Sequence, residues 1–175
     1  VLMVKASITT NEVAQVSIQF ESNETVRRET SKSIASKDHK ITVVGLRPQT
    51  DYKFTAVITN QSGDITSSEL QSLKTASLPF TMPDIQLKTN TDESYKGITF
   101  FSVTDTNARF IGVDEEGQPV WYLHLNDVPM LNSSPAIKHL GDGKLMLLLR
   151  SEVWVIDIAG NILSTFQLPT YHHEA

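Results

Sequence analysis

The sequence contains no cysteine, which excludes disulfide staples, zinc–thiolate sites and thiol nucleophiles together. It holds no apolar run near the ~18–20 residues that a membrane-spanning helix needs. It also lacks any cluster of Lys or Arg. The 15 basic residues are dispersed among 20 acidic ones, for a net charge of −5. A groove for nucleic acid is therefore not expected, and the acidic balance bears on solubility more than on partners. The given sequence begins at Val1 rather than Met and shows no signal peptide, so either a leader has been removed or the sequence is a piece of a longer one. The composition, 39% hydrophobic and 20% charged, is that of a globular protein. A length of 175 residues suits one domain or two small ones.

What is present over residues 1–76 is period-two alternation, with no helical period. Val16-Ser17-Ile18-Gln19-Phe20, Ile41-Thr42-Val43 and Tyr52-Lys53-Phe54-Thr55-Ala56-Val57 each turn one face inward and one outward. Short strands separated by turn signals indicate a sandwich. Asn60-Gln61-Ser62-Gly63 reads as a hairpin turn, and Ser67 to Thr75 as the last strand. The segment Gly45-Leu46-Arg47-Pro48-Gln49-Thr50-Asp51-Tyr52 resembles the E–F corner of fibronectin type III domains. Leu46 plugs the end of the core, Pro48 fixes φ, and the Tyr52 hydroxyl is expected to reach back to an upstream backbone group. His39, in the charged run Lys37-Asp38-His39-Lys40, is expected in a solvated loop between strands. Asn-x-Ser/Thr triplets at Asn23, Asn60 and Asn132 carry little weight in a Ser/Thr-rich chain.

Two prolines in Ala76-Ser77-Leu78-Pro79-Phe80-Thr81-Met82-Pro83 mark a stiff connection, and residues 77–83 are assigned as a linker. Residues 84–175 have longer, unbroken apolar runs: Ile98-Thr99-Phe100-Phe101, Leu145 to Leu149, and Val153-Trp154-Val155-Ile156. Such runs imply strands covered on both faces. An internal repeat accompanies them. Asp114 falls on Asp157, Gly117 on Gly160, Val120 on Leu163 and Leu125 on Leu168, all at an offset of 43 residues. Propeller blades repeat at roughly 40–50 residues. Each unit reads as strand, Asp-x-x-Gly hairpin, strand, in which Asp bonds turn amides and Gly takes positive φ. The expected fold is all-β: a fibronectin-type-III-like sandwich over residues 1–76, then about two blades of an incomplete β-propeller over 84–175. A closed propeller takes ~4–8 blades, so the chain is expected to be an N-terminal piece of a larger protein.

The chain closes on Leu168-Pro169-Thr170-Tyr171-His172-His173-Glu174-Ala175. In a walk from blade to blade, the segment after an outer hairpin crosses to the innermost strand of the next blade. Ser133-Ser134-Pro135-Ala136 holds the same place one blade earlier. His172 and His173 would then enter the central channel, with one of them facing inward. A solvated pair at a chain end is the plain alternative. A metal site fits poorly, because neighbouring strand residues point to opposite faces. His124 is expected packed or at a strand edge, and His139 exposed. Asp114-Glu115-Glu116 reads as turn chemistry rather than as paired catalytic carboxylates, and Trp121 and Trp154 as blade packing.

Gly117-x-x-Val120-Trp121-Tyr122, Gly141-Asp142-Gly143-Lys144-Leu145, Asp157-x-x-Gly160-Asn161 and His172-His173-Glu174 together resemble bacterial arylsulfotransferases in order and spacing. That family pairs an N-terminal sandwich with a large propeller. The resemblance implies transfer of a sulfuryl group from an aryl sulfate donor to a phenolic acceptor through a sulfated histidine, without a cofactor or metal. It implies that His172 or His173, whichever faces inward, belongs to the shell that stabilises charge on the sulfuryl oxygens. The sulfated histidine and its arginine partner would lie beyond Ala175, leaving this chain inactive alone. It further implies a periplasmic or secreted location, and either a homodimer or association with the rest of the propeller. The competing reading is an extracellular binding scaffold whose propeller is not catalytic.

Overall fold

The computed structural model describes residues 2–79, 85–88, 91, 97–104, 107–129, 136–149 and 151–168. Every regular element among them is a strand. The chain divides into two compact units with the boundary between Thr81 and Met82.

The first unit is one hydrogen-bonded sheet folded over on itself. Its strands are β1 (Met3–Ser22), β2 (Arg28–Glu29), β3 (Ser36–Val44), β4 (Asp51–Asn60), β5 (Ile65–Ser67) and β6 (Gln71–Lys74). The fold-over lies within β1. Met3 to Thr9 pair antiparallel with β3, and Ala14 to Ser22 pair antiparallel with β4. The register shifts between Thr9 and Ala14, where Thr10 Oγ1 donates to the carbonyl of Glu12 at 2.7 Å. One strand thus serves both layers, and Val16, Ile18, Phe20, Val43 and Phe54 are buried between them. The rings of Phe20, Tyr52 and Phe54 cluster with centroids 6.0–6.4 Å apart. Each such fully buried side chain contributes about 1.5–3 kcal/mol.

The corner between β3 and β4 forms as the sequence indicates. Gly45 takes φ 80°, Leu46 is fully buried, and the Tyr52 hydroxyl accepts the Arg47 amide at 2.9 Å. Thr75 closes the same end, donating its hydroxyl to the Arg47 carbonyl at 2.6 Å and accepting the Thr50 amide at 2.9 Å. The Asn60–Gly63 turn also forms, with Gly63 at φ 89°. Two expectations need correction. The final strand is split into β5 and β6, because Ser68 turns its hydroxyl to accept the Ala56 amide at 3.0 Å. His39 is in no loop: it lies within β3 and is only 4% exposed. Strand parity explains this, since His39, Ile41 and Val43 share the inward face.

The second unit holds two antiparallel sheets that share one core, an arrangement consistent with two successive blades of a propeller. The first is β7 (Thr99–Thr104), β8 (Asn107–Val113) and β9 (Pro119–Pro129). The second is β10 (Ala136–Gly141), β11 (Lys144–Leu148), β12 (Glu152–Asp157) and β13 (Ile162–Gln167). Their shared core takes Phe110 and Trp121 from the first sheet and Leu145, Leu147, Leu149 and Ile156 from the second. The apolar run Leu145–Leu149 supplies β11, an interior strand, and Leu148 on its other face is also buried, at 2% exposure. The edge strand β10 is mostly exposed.

The 43-residue repeat is a structural repeat. In the first turn, Asp114 Oδ1 accepts the amides of Glu116 at 3.0 Å and Gln118 at 2.9 Å. In the second, Asp157 Oδ1 accepts the amide of Asn161 at 2.8 Å. Gly117 and Gly160 take φ 76° and 85°, and each donates its amide to the carbonyl of its own aspartate. Both hairpins sit at the same edge of their sheets, the pairs being β8–β9 and β12–β13. Adjacent blades are tied by Trp121, whose indole N–H donates to the Ile158 carbonyl at 2.8 Å. Its ring meets Phe100 edge to face at 5.3 Å.

Candidate functional site

His172 and His173, the residues singled out as catalytic, lie outside the described residues. What is described is the framework that delivers the chain to them. β13 ends at Gln167, and the Leu168 amide donates to the Ser151 carbonyl at 2.8 Å. That bond fixes Leu168 beside the start of β12, at the β13 edge of the second sheet. β10 forms the opposite edge of the same sheet. One blade earlier, the chain leaves β9 at one sheet edge and re-enters at β10, at the far edge of the next sheet.

The remaining titratable groups fall into structural roles. His139 is exposed on β10. His124 lies half-buried on β9, which among the described residues pairs with β8 alone. Asp114 is buried, with its carboxylate taken up by turn amides. Trp121 is core, and the Trp154 indole N–H donates to Glu152 at 2.6 Å. That bond, then one from Gln167, holds the Glu152 carboxyl below the usual glutamate range. Glu29 is lowered likewise, first by the Ser17 hydroxyl and then by the Gln19 amide. Both shifts come from surface hydrogen bonds, not from a cleft arranged for proton transfer.

The pairing that the sequence reading missed is His39 with Ser33. The Ser33 hydroxyl lies 2.8 Å from His39 Nδ1, and Nε2 is buried without a hydrogen bond. The atom types are those of a base and its nucleophile. The surroundings are not: Ser33 Oγ also accepts the Val16 amide at 3.0 Å and contacts the Ile34 carbonyl at 3.2 Å. The pair closes the segment that leads into β3. Counting period two upstream from Val43 and Ile41 would have placed His39 inward.

Among the described residues no group of three or more His, Asp or Glu is placed to hold a metal. No helix among them is long and apolar enough to cross a membrane. They build a blade framework and a sandwich, with no assembled catalytic constellation of their own. No curated protein matches the chain at a significant level. Two family models do match. The one described as Arylsulfotransferase Ig-like domain covers residues 2–76, and the one described as Arylsulfotransferase (ASST) covers residues 84–175. The sandwich and the repeated-turn blades thus each fall under their own part of one family, and over more than half its length the chain matches the blade-bearing part: it belongs to the arylsulfotransferase (ASST) family.

Proposed function

We propose that this chain is the N-terminal part of an enzyme that moves a sulfuryl group from an aryl sulfate to a phenol through a sulfated histidine. The observation that carries the reading is the co-occurrence of both family matches, in order, on a chain whose blades repeat at one period. A neutral imidazole nitrogen forms a bond to sulfur while the sulfur–aryl-oxygen bond breaks, and the phenolate leaves with the electron pair. The acceptor phenol loses its proton to a base, its oxygen attacks the same sulfur, and the nitrogen–sulfur bond breaks to restore the imidazole. Two moderate barriers replace one high barrier.

One of His172 and His173 acts as a donor to the sulfuryl oxygens, where negative charge must be held as the groups exchange. Sequence order supports this role: the two histidines come after β13, as the stretch that leads to β10 comes after β9. The sulfated histidine itself belongs to blades outside this sequence, so the 175 residues alone are inactive. The working protein is periplasmic or secreted, and cell fractionation checks this. Full-length protein mixed with an aryl sulfate and no acceptor should gain the mass of one sulfuryl group, on a histidine, and lose it when a phenol is added. Turnover without any such adduct would refute the covalent path.

A further inference from the structure

Asn-x-Ser/Thr is the pattern that transferases of N-linked glycans accept, and it occurs at Asn23, Asn60 and Asn132. Sequence alone does not rank the three. The fold separates two of them, Asn132 lying outside the described residues. The Asn60 side chain is fully engaged at the end of β4. Its Oδ1 accepts the Asp64 amide at 2.8 Å, and its Nδ2 donates to Asp64 Oδ2 at 3.1 Å and to Glu12 Oε1 at 3.3 Å. Its carbonyl accepts the Gly63 amide in the same turn. An amide nitrogen held in this way is not presented to a second protein.

Asn23 differs on each count. It is exposed in the connection between β1 and β2, and its side chain makes no hydrogen bond among the described residues. The strand that follows, β2, is only two residues long, so the tip opens at less cost than a long hairpin would. Glu21, also exposed, stands two residues ahead of Asn23, where its carboxylate can pair with a basic side chain of a transferase. Beside Asn23 lies a hollow of about 180 Å³, with Glu21, Asp51, Lys53 and Ser72 among its walls. Those charged and hydroxyl groups suit the hydroxyls of a first sugar. Thr25 supplies the hydroxyl of the triplet. It lies 2.9 Å from Ser22 Oγ, which also accepts the amides of Glu24 and Thr25 at 3.1 Å each. Ser22 therefore sets the shape of the tip.

We propose that Asn23 is the acceptor of an N-linked oligosaccharide delivered as a lipid pyrophosphate. Asn23 Nδ2 forms a bond to the anomeric carbon of the first sugar while the bond from that carbon to the pyrophosphate oxygen breaks. The pyrophosphate leaves with the electron pair, and the amide gives one proton to a base of the transferase. In the cell this rests on the export proposed above, since such acceptors belong to surface loops of secreted proteins. The product carries a bulky, solubilising group at the tip between β1 and β2.

The test uses purified, folded full-length protein, a membrane oligosaccharyltransferase and its lipid-linked oligosaccharide, with a standard acceptor peptide showing that the transferase is active. The intact mass should rise by one oligosaccharide, and peptide mapping should place it on Asn23. Asn23→Gln and Thr25→Ala should abolish the gain, and Thr25→Ser should keep it. Ser22→Ala, which frees the tip, should speed the transfer. No mass gain in the folded protein would overturn the proposal. So would a gain that survives Asn23→Gln, which would assign the glycan to Asn60 or Asn132. Export is read separately by cell fractionation, so its failure is distinct from a failure of Asn23 to accept.

Discussion

Tyr52 shows how much one buried hydroxyl can hold. It is 1% exposed and accepts the Arg47 amide inside the corner between β3 and β4. Tyr52→Phe keeps the ring packing and leaves that amide unsatisfied, which should cost about 1–3 kcal/mol. Urea unfolding of the chain would measure it; a variant as stable as the parent would contradict the corner's role. Glu152 makes a different prediction, on the second unit. Its folded-state pKa is lowered, first by the Trp154 indole and then by Gln167. The unfolded chain therefore takes up this proton at higher pH than the folded one. The stability that Glu152 contributes is fully present above the ordinary glutamate range and is lost as pH falls through the lowered folded value. Thermal midpoints of the parent and Glu152→Gln should diverge above that window and converge below it. Parallel curves would mean that the two hydrogen bonds do not favour the charged form.

The elements were legible in proportion to how local their causes are. The β3–β4 corner and both Asp-x-x-Gly hairpins need particular residues at fixed offsets, and those residues were readable. His39 was hidden because its neighbours Lys37, Asp38 and Lys40 are charged, while its own inward direction follows from a strand that starts five residues before Ile41. The break between β5 and β6 depends on where the Ser68 hydroxyl finds the Ala56 amide, a contact across 12 residues that no local pattern announces. Gly112 is another such case. A Cβ there would lie 2.8 Å from Ile98 Cγ2 and 3.0 Å from Phe100 Cε1, so Gly112→Ala should displace Phe100 from its edge contact with Trp121. The two hairpin aspartates also separate by burial. Asp114→Ala leaves buried turn amides and should cost about 1–3 kcal/mol. Asp157→Ala, whose turn is more open to water, should cost less. Denaturant titrations of the two variants would check that order.

At the scale of the whole chain, the sandwich and the blade-like sheets are two separate compact units. Both tryptophans, Trp121 and Trp154, lie in the blades, so indole fluorescence reports the second unit alone. Trp121→Phe removes the bond to Ile158 that ties one blade to the next. It should lower that unit's stability by about 1–3 kcal/mol, while the sandwich transition followed by circular dichroism stays in place. Family membership rests on both units together, and the chemistry proposed for them rests on residues that follow β13 in sequence. The most direct measurement is the rate of phenolate release from para-nitrophenyl sulfate by the full-length protein, with and without a phenolic acceptor, for the parent, His172→Ala and His173→Ala. Release should depend on the acceptor and fall by about 10²–10³-fold in the variant that loses a sulfuryl-oxygen donor, the other variant staying near the parent. Folded full-length protein that releases no phenolate with any donor, or variants both as active as the parent, would contradict the account.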